Sequence, residues 1–181
     1  MQGDKLERKW LAHYIDSSFG GSTASYVRLG QDLEEYNIEM NPDSETKKNI
    51  LGENSTTVKG YDPSSSVDTY YAYEGDALFE HLAEIINTRA TGGSLKTTVV
   101  DVLVDSEGSV VWAYREDAII IPQSMGGDTG GIQIPFEIHY NGNRTKGTWD
   151  IKTKTFTATA VASLSASEGV AVATVKDTKT K

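Results

Sequence analysis

Residues Gly108 to Asp150 read GSVVWAYREDAIIIPQSMGGDTGGIQIPFEIHYNGNRTKGTWD, and the pattern within them sets the fold class. From Ile132 to Tyr140, the apolar residues Ile132, Ile134, Phe136, Ile138 and Tyr140 alternate with Gln133, Pro135, Glu137 and His139. Successive side chains of a strand point to opposite faces, so this alternation predicts a strand with one buried and one wet face. Asn141-Gly142-Asn143 follows with residues that tolerate positive φ, which predicts a β-hairpin returning through Arg144 to Ile151. Upstream, Val110 to Pro122 is rich in β-branched and aromatic residues, and Gly126 to Gly131 reads as a flexible link between the two strands.

Working outward, Lys96 to Asp105 predicts a further strand, with Val100, Val102 and Val104 on one side and Val99, Asp101, Leu103 and Asp105 on the other. Before it comes the one helix signal, residues 76–89. Asp76 is placed to cap the exposed amide groups, and Leu78, Phe79, Leu82, Ile85 and Ile86 form an apolar stripe at three- and four-residue spacing that needs a sheet to cover. Shorter strands are expected at Ser25 to Leu29, Glu35 to Met40 and Val67 to Tyr73. Residues 43–66 are polar and punctuated, too long for an ordinary loop, and are read as a projecting β-hairpin or loop, with strands near Thr46 to Ile50 and Thr56 to Tyr61, against plain disorder as the alternative. Residues 1–24 are read as an N-terminal arm and 25–152 as a β domain. Residues 153–181, rich in Thr, Ala, Ser and Val, are read as a C-terminal strand or arm that needs a covering surface. The expected class is therefore mainly β with one flanking α-helix.

The chain of 181 residues suits a single domain. With 17 Lys plus Arg against 26 Asp plus Glu, its net charge of −9 opposes binding to a phosphate backbone. It has no cysteine, which excludes a disulfide framework and cysteine-ligated zinc and suits a reducing compartment. Neither a signal-peptide pattern nor an apolar run of bilayer length is seen, so no membrane insertion is expected.

Motifs that suggest chemistry are weak. Asp128-Thr129-Gly130 matches the tripeptide of retroviral-type aspartic proteases, but it sits between glycines in a loop rather than after an apolar strand. The same glycine-rich run lacks the Gly-Lys-Ser/Thr of a phosphate cradle. His13, His81 and His139 are scattered and are read as surface histidines. Asp101, Asp105, Glu116 and Asp117 are read as carboxylates on a solvated strand face, not as a cation site. No enzyme activity, cofactor or metal is expected.

Three segments, in order, carry a resemblance: NPDSETKKNILGENS (Asn41 to Ser55), GYDPSSSVDTYYAYEGDALFEHLAEI (Gly60 to Ile85) and YREDAIIIPQSMGGDTGGIQIPFEIHYNGNRTKGTWD (Tyr114 to Asp150). Together they make the region from Lys9 to Asp150 resemble the major tail, or tail tube, proteins of long-tailed (siphovirus-type) phages of Gram-positive bacteria. The resemblance implies a tail-tube-type β-sandwich or barrel. It implies a structural subunit, made in the bacterial cytoplasm and carried in the virion, whose hexameric rings stack into the channel for DNA ejection. Its partners are then other copies of itself and other tail proteins, with DNA passing without specific binding. On that footing the polar strand faces nominate Asp101, Asp105, Gln133 and Glu137 for the lumen. The projecting segment nominates Lys47, Asn49, Glu53, Asn54 and Lys59 for contacts between rings. The rival reading is a monomeric β-sandwich that binds a glycan or a protein.

Overall fold

A computed structural model of the chain describes residues 5–159. In chain order the strands are β1 (Leu11–Asp16), β2 (Tyr26–Leu29), β3 (Pro42–Lys48), β4 (Asn54–Tyr61) and β5 (Ser64–Val67). The helix α1 (Ala77–Thr88) follows. After it come β6 (Lys96–Val104), β7 (Val110–Pro122), β8 (Gly126–Asp128), β9 (Gly131–Gln133), β10 (Phe136–Tyr140), β11 (Thr145–Asp150) and β12 (Thr155–Ala158). The protein is mainly β with a single α-helix among the described residues, and that helix is not long and apolar enough to cross a membrane. Eight strands form one antiparallel sheet, while β3–β4 and β8–β9 are separate two-stranded ribbons.

The 13-residue β7 is the spine of the sheet. One of its edges pairs with β6 along nearly its whole length. The other edge pairs first with β10 (Tyr140 opposite Ala118) and then with β11 (Thr145 opposite Arg115). β10 and β11 are therefore not the two arms of a hairpin; they lie end to end beside β7. Asn141 to Arg144 face only Glu116 and Asp117, and the surplus is taken up as a bulge. There the Asp117 amide donates to the Gly142 carbonyl at 3.1 Å, and the Asn143 side-chain amide donates to the Asp117 carboxylate at 2.6 Å. Gly142 and Asn143 adopt φ of 88° and 56°. The positive φ read as a turn is spent on a bulge instead.

The N-terminal segment also differs from expectation. β1 is no arm but an interior strand between β2 and β6, with Ala12 to Asp16 all buried. A strand covered on both faces loses its alternation, and the apolar spacing of Leu6 to Ile15 then imitates a helix. Glu35 to Met40 forms no strand, only a bridge from Glu39 to Ser64; of Val67 to Tyr73 only Val67, the last residue of β5, lies in the sheet, and Tyr71 makes an isolated bridge to Gln133. The alternating run breaks at Pro135, which has no N–H to donate: Ile134, Phe136, Ile138 and Tyr140 are buried, whereas Ile132 is 59% exposed on β9. Of the C-terminal segment, β12 pairs with β11, and the reading for residues 160–181 lies outside the described residues.

Two cores hold the sheet. On one face Val99, Ala118, Ile120, Phe136 and Ile138 pack with Leu78 and Leu82 of α1, both fully buried, with Phe79 and Ile86 at the margin. Ile85 is also buried. Asp76 caps α1 by accepting from the Leu78 amide at 3.0 Å, and Arg89 closes it in the left-handed conformation, φ 52°. On the other face lie Ala12, Tyr14, Tyr26, Val100, Val102, Ala113 and Trp149. The Trp149 ring on β11 sits 4.6 Å from Tyr14 and 5.3 Å from Tyr26. Four strand steps separate β11 from β2 in the sheet order, roughly 19 Å if the sheet were flat. The sheet therefore curls around this aromatic core.

The close approach of β12 to β11 depends on Gly147, where an added Cβ would meet the Thr157 carbonyl oxygen and the Phe156 ring edge at 2.4 Å each. Gly147→Ala is expected to cost about 1–3 kcal/mol by overpacking and to lower the urea midpoint. An unchanged midpoint counts against the packing of β12 on β11.

Candidate functional site

β3 and β4 pair over their full length, yet neither strand contains a buried residue. The ribbon holds itself together with short polar links. Thr46 and Thr56 hydroxyls lie 3.0 Å apart, and Lys47 and Lys59 reach the Glu45 carboxylate at 3.3 and 2.9 Å. At the tip the Asn49 side chain accepts from the amides of Leu51 and Glu53, both at 2.9 Å, and donates to the Glu53 carboxylate at 2.8 Å. Asn54 closes the ladder opposite Lys48. The residues nominated for contacts thus shape the ribbon, while its outermost side chains are Ile50 and Leu51, 103% and 78% exposed. Two adjacent aliphatic residues inside a polar stretch were the available signal for that tip.

The nominated lumen residues do not share one surface. Asp101 stands opposite Tyr114, on the face that carries Ala118 and Ile120; Glu137 stands opposite Ile121, on the reverse face. Asp101 is also 1% exposed and faces no solvent, which corrects its assignment to a wet face. Asp105 shapes the β6–β7 turn by accepting from the amides of Glu107 and Ser109. Gln133 is on the β8–β9 ribbon, and Glu137 is half-exposed with His139 Nε2 at 3.3 Å.

What surrounds Asp101 is a buried polar cluster. His13 Nδ1 donates to Asp101 at 2.8 Å, Arg144 donates to Asp101 at 3.1 Å and to Glu116 at 2.8 Å, and the Arg144 guanidinium lies 5.0 Å from the Tyr114 ring centre. Burial alone pulls the Arg144 pKa down, but the bond to Glu116 and the Asp101 charge outweigh it and hold the guanidinium above its ordinary value. Next to the cluster the Tyr36 and Tyr140 hydroxyls meet at 2.9 Å, and burial pushes both phenols up so that they remain donors. Glu116 is buried as well, and the His13 ring is tilted against Tyr36 with centroids 4.5 Å apart rather than lying on the surface. His81 stacks on Phe19 at 4.0 Å. No group of three or more His, Cys, Asp or Glu side chains among the described residues is arranged to hold a metal ion. Asp128 of the Asp-Thr-Gly tripeptide accepts from the Gly130 amide at 2.7 Å and shapes the β8–β9 turn.

No family model and no curated protein matches the sequence. The arrangement of strands does have counterparts. The anti-feeding prophage cap, a tube-terminating cap, superposes with a TM-score of 0.51 at 12% identity, over 82% of this chain and 94% of that one. The sheath/tube terminator of an extracellular contractile injection system (PVC), in its extended state, superposes with a TM-score of 0.52 at 9% identity, over 82% of this chain and 100% of that one. The fold is shared with both. Each counterpart is matched over nearly its whole length, so the likeness takes in the complete subunit, and at these identities the fold is what the proteins have in common.

Proposed function

We propose that this chain is a structural subunit of a phage-tail-type tube, associating with copies of itself into stacked rings, six to a ring by the resemblance, that form a channel for DNA ejection. One observation carries the reading. A two-stranded ribbon with no buried residue is marginal in water by itself, and this one ends in two bare aliphatic side chains that a second surface can cover. The fold it shares with tube-terminating proteins supports a role in such an assembly, and the sequence resemblance supports the tube subunit in particular. On this reading the protein is a non-enzymatic part of the virion tail, assembled with other tail proteins.

A terminating subunit is the second reading, favoured because the two fold counterparts are a tube-terminating cap and a sheath/tube terminator. The two differ in whether growth continues. Purified protein viewed by negative-stain microscopy across a range of concentrations is expected to form tubes that lengthen with concentration. Single rings that never stack select the terminator, and a monomer at every concentration overturns both in favour of a monomeric binding module. Glu137, half-exposed, is the lumen candidate carried forward. Glu137→Lys is expected to leave assembly intact and to slow DNA ejection at low salt, with relief at higher salt as screening shortens the reach of the charge.

A further inference from the structure

β12 is the last strand of the sheet, and its outer edge is unpaired among the described residues. The Thr159 amide donates to the Lys146 carbonyl at 3.0 Å. Amides of an antiparallel strand alternate in direction, so those of Thr155 and Thr157 also face β11, while those of Phe156 and Ala158 point out from the edge. Along β12 and the turn before it runs an open groove of about 710 Å³, walled by Val110, Ile151, Thr155 and Thr157. Its charged side chains are Asp150 and Lys152, one of each sign, and Asp150 is spent on the amides of Lys152 and Thr153 at 2.8 and 3.0 Å. Trp149 also lines the groove, and its buried Nε1 has no partner. The second core stops short on this side, at Val110 and Phe156, which are only half-buried against it.

We propose that residues 170–175 of the same copy add to this edge as a further strand, antiparallel to β12, and extend the second core past Val110 and Phe156. Their sequence, Val-Ala-Val-Ala-Thr-Val, has the β-branched composition of a strand, and residues 160–175 carry one charge, at Glu168. An uncharged segment suits a groove with no net charge, and its carbonyls supply acceptors for the outward amides of β12 and for Trp149 Nε1. The chain leaves β12 at Thr159, and residues 160–169 reach up to about 33 Å when extended. That is several times the roughly 5 Å between neighbouring strands, so the return is unstrained. A segment on so short a tether has an effective concentration on the order of millimolar, which lets it fill the edge before the same segment of a second copy can. Once covered, the edge no longer offers other copies a template for pairing. The contact is made within one copy and does not depend on the stacking of rings.

The chain has no cysteine, so introduced pairs can be oxidised without competing thiols. Thr157 is exposed, and in the full chain Thr157→Cys is combined in turn with Val170→Cys, Ala171→Cys, Val172→Cys and Ala173→Cys. Disulfides are expected to close within one chain, at least tenfold faster at two alternate positions than at the two between them, because only every second side chain of a paired strand shares a face with Thr157. Hydrogen exchange at the Phe156 and Ala158 amides is expected to be at least a hundredfold slower in the wild type than in Val172→Pro, since proline has no amide to give to the ladder. The amides of β6 and β7 should exchange alike in both proteins. Equal disulfide rates at all four positions describe a tether without pairing and overturn the proposal. Disulfides between two chains overturn it in favour of a second copy, and Phe156 and Ala158 amides that exchange as fast in the wild type as in the variant overturn it as well. Should Val172→Pro misfold, the cysteine series decides alone.

Discussion

Asp101→Lys is expected to unfold the subunit rather than to alter any channel. The Asp101 side chain is 2% exposed and accepts from both His13 and Arg144, and Arg144 in turn bridges to Glu116. Removing one partner of a buried pair costs about 3–5 kcal/mol, because the remaining charge stays desolvated and uncompensated. A lysine there adds a cation beside a guanidinium and an imidazole, whereas a domain has only about 5–15 kcal/mol to lose. Arg144 is 41% exposed, so water screens part of its share of the penalty. The expected order of urea midpoints is wild type, then Asp101→Asn, Asp101→Ala and Asp101→Lys, since the amide keeps an acceptor and the other two do not. Glu137→Lys, half-exposed on the opposite face, is expected to stay within about 0.5 kcal/mol of wild type. A soluble Asp101→Lys with the wild-type midpoint sinks the buried-cluster account.

The residues themselves explain why some of this was legible in the sequence and some was not. α1 could be read to within a residue because its stripe, its Asp76 cap and the following glycines are all local signals. β7 and β6 were equally plain, being long runs of β-branched and aromatic residues. Asp101 was misread because alternation separates two faces of a strand without telling whether the polar one is wet. Its partners are 88 and 43 positions away, at His13 and Arg144, and no local pattern records such a pairing. Asn141-Gly142-Asn143 was misread for a related reason. Positive φ serves a hairpin turn and a strand bulge alike, and the choice was made by Asp117 across the ladder. β1 escaped notice because burial on both faces erased its period.

The tip of the β3–β4 ribbon carries the other large expectation. Ile50→Ser with Leu51→Ser is expected to abolish the stacking of rings while leaving the subunit as stable as wild type, because both side chains are bare in the isolated chain and support nothing within it. Burying an aliphatic side chain contributes about 1.5–3 kcal/mol, and every 1.4 kcal/mol is a factor of ten in affinity. Each substituted residue should therefore weaken a single contact roughly 10- to 100-fold, and a ring multiplies the loss by its copies. Shortening only one strand is a poorer test. Removing an odd number of residues from β4 flips the faces of all the rest against β3, so misregister would be confused with a lost contact. Lys47→Ala and Lys59→Ala supply the comparison. Both lysines pair with Glu45 on an exposed surface, where such pairs are worth about 0–1 kcal/mol, so their effect on stacking should be the smaller one. Sedimentation and microscopy of the three variants decide the matter: tubes of normal length from the double serine variant, or a larger loss from the lysine variants than from the aliphatic one, mean that Ile50 and Leu51 are not the contact.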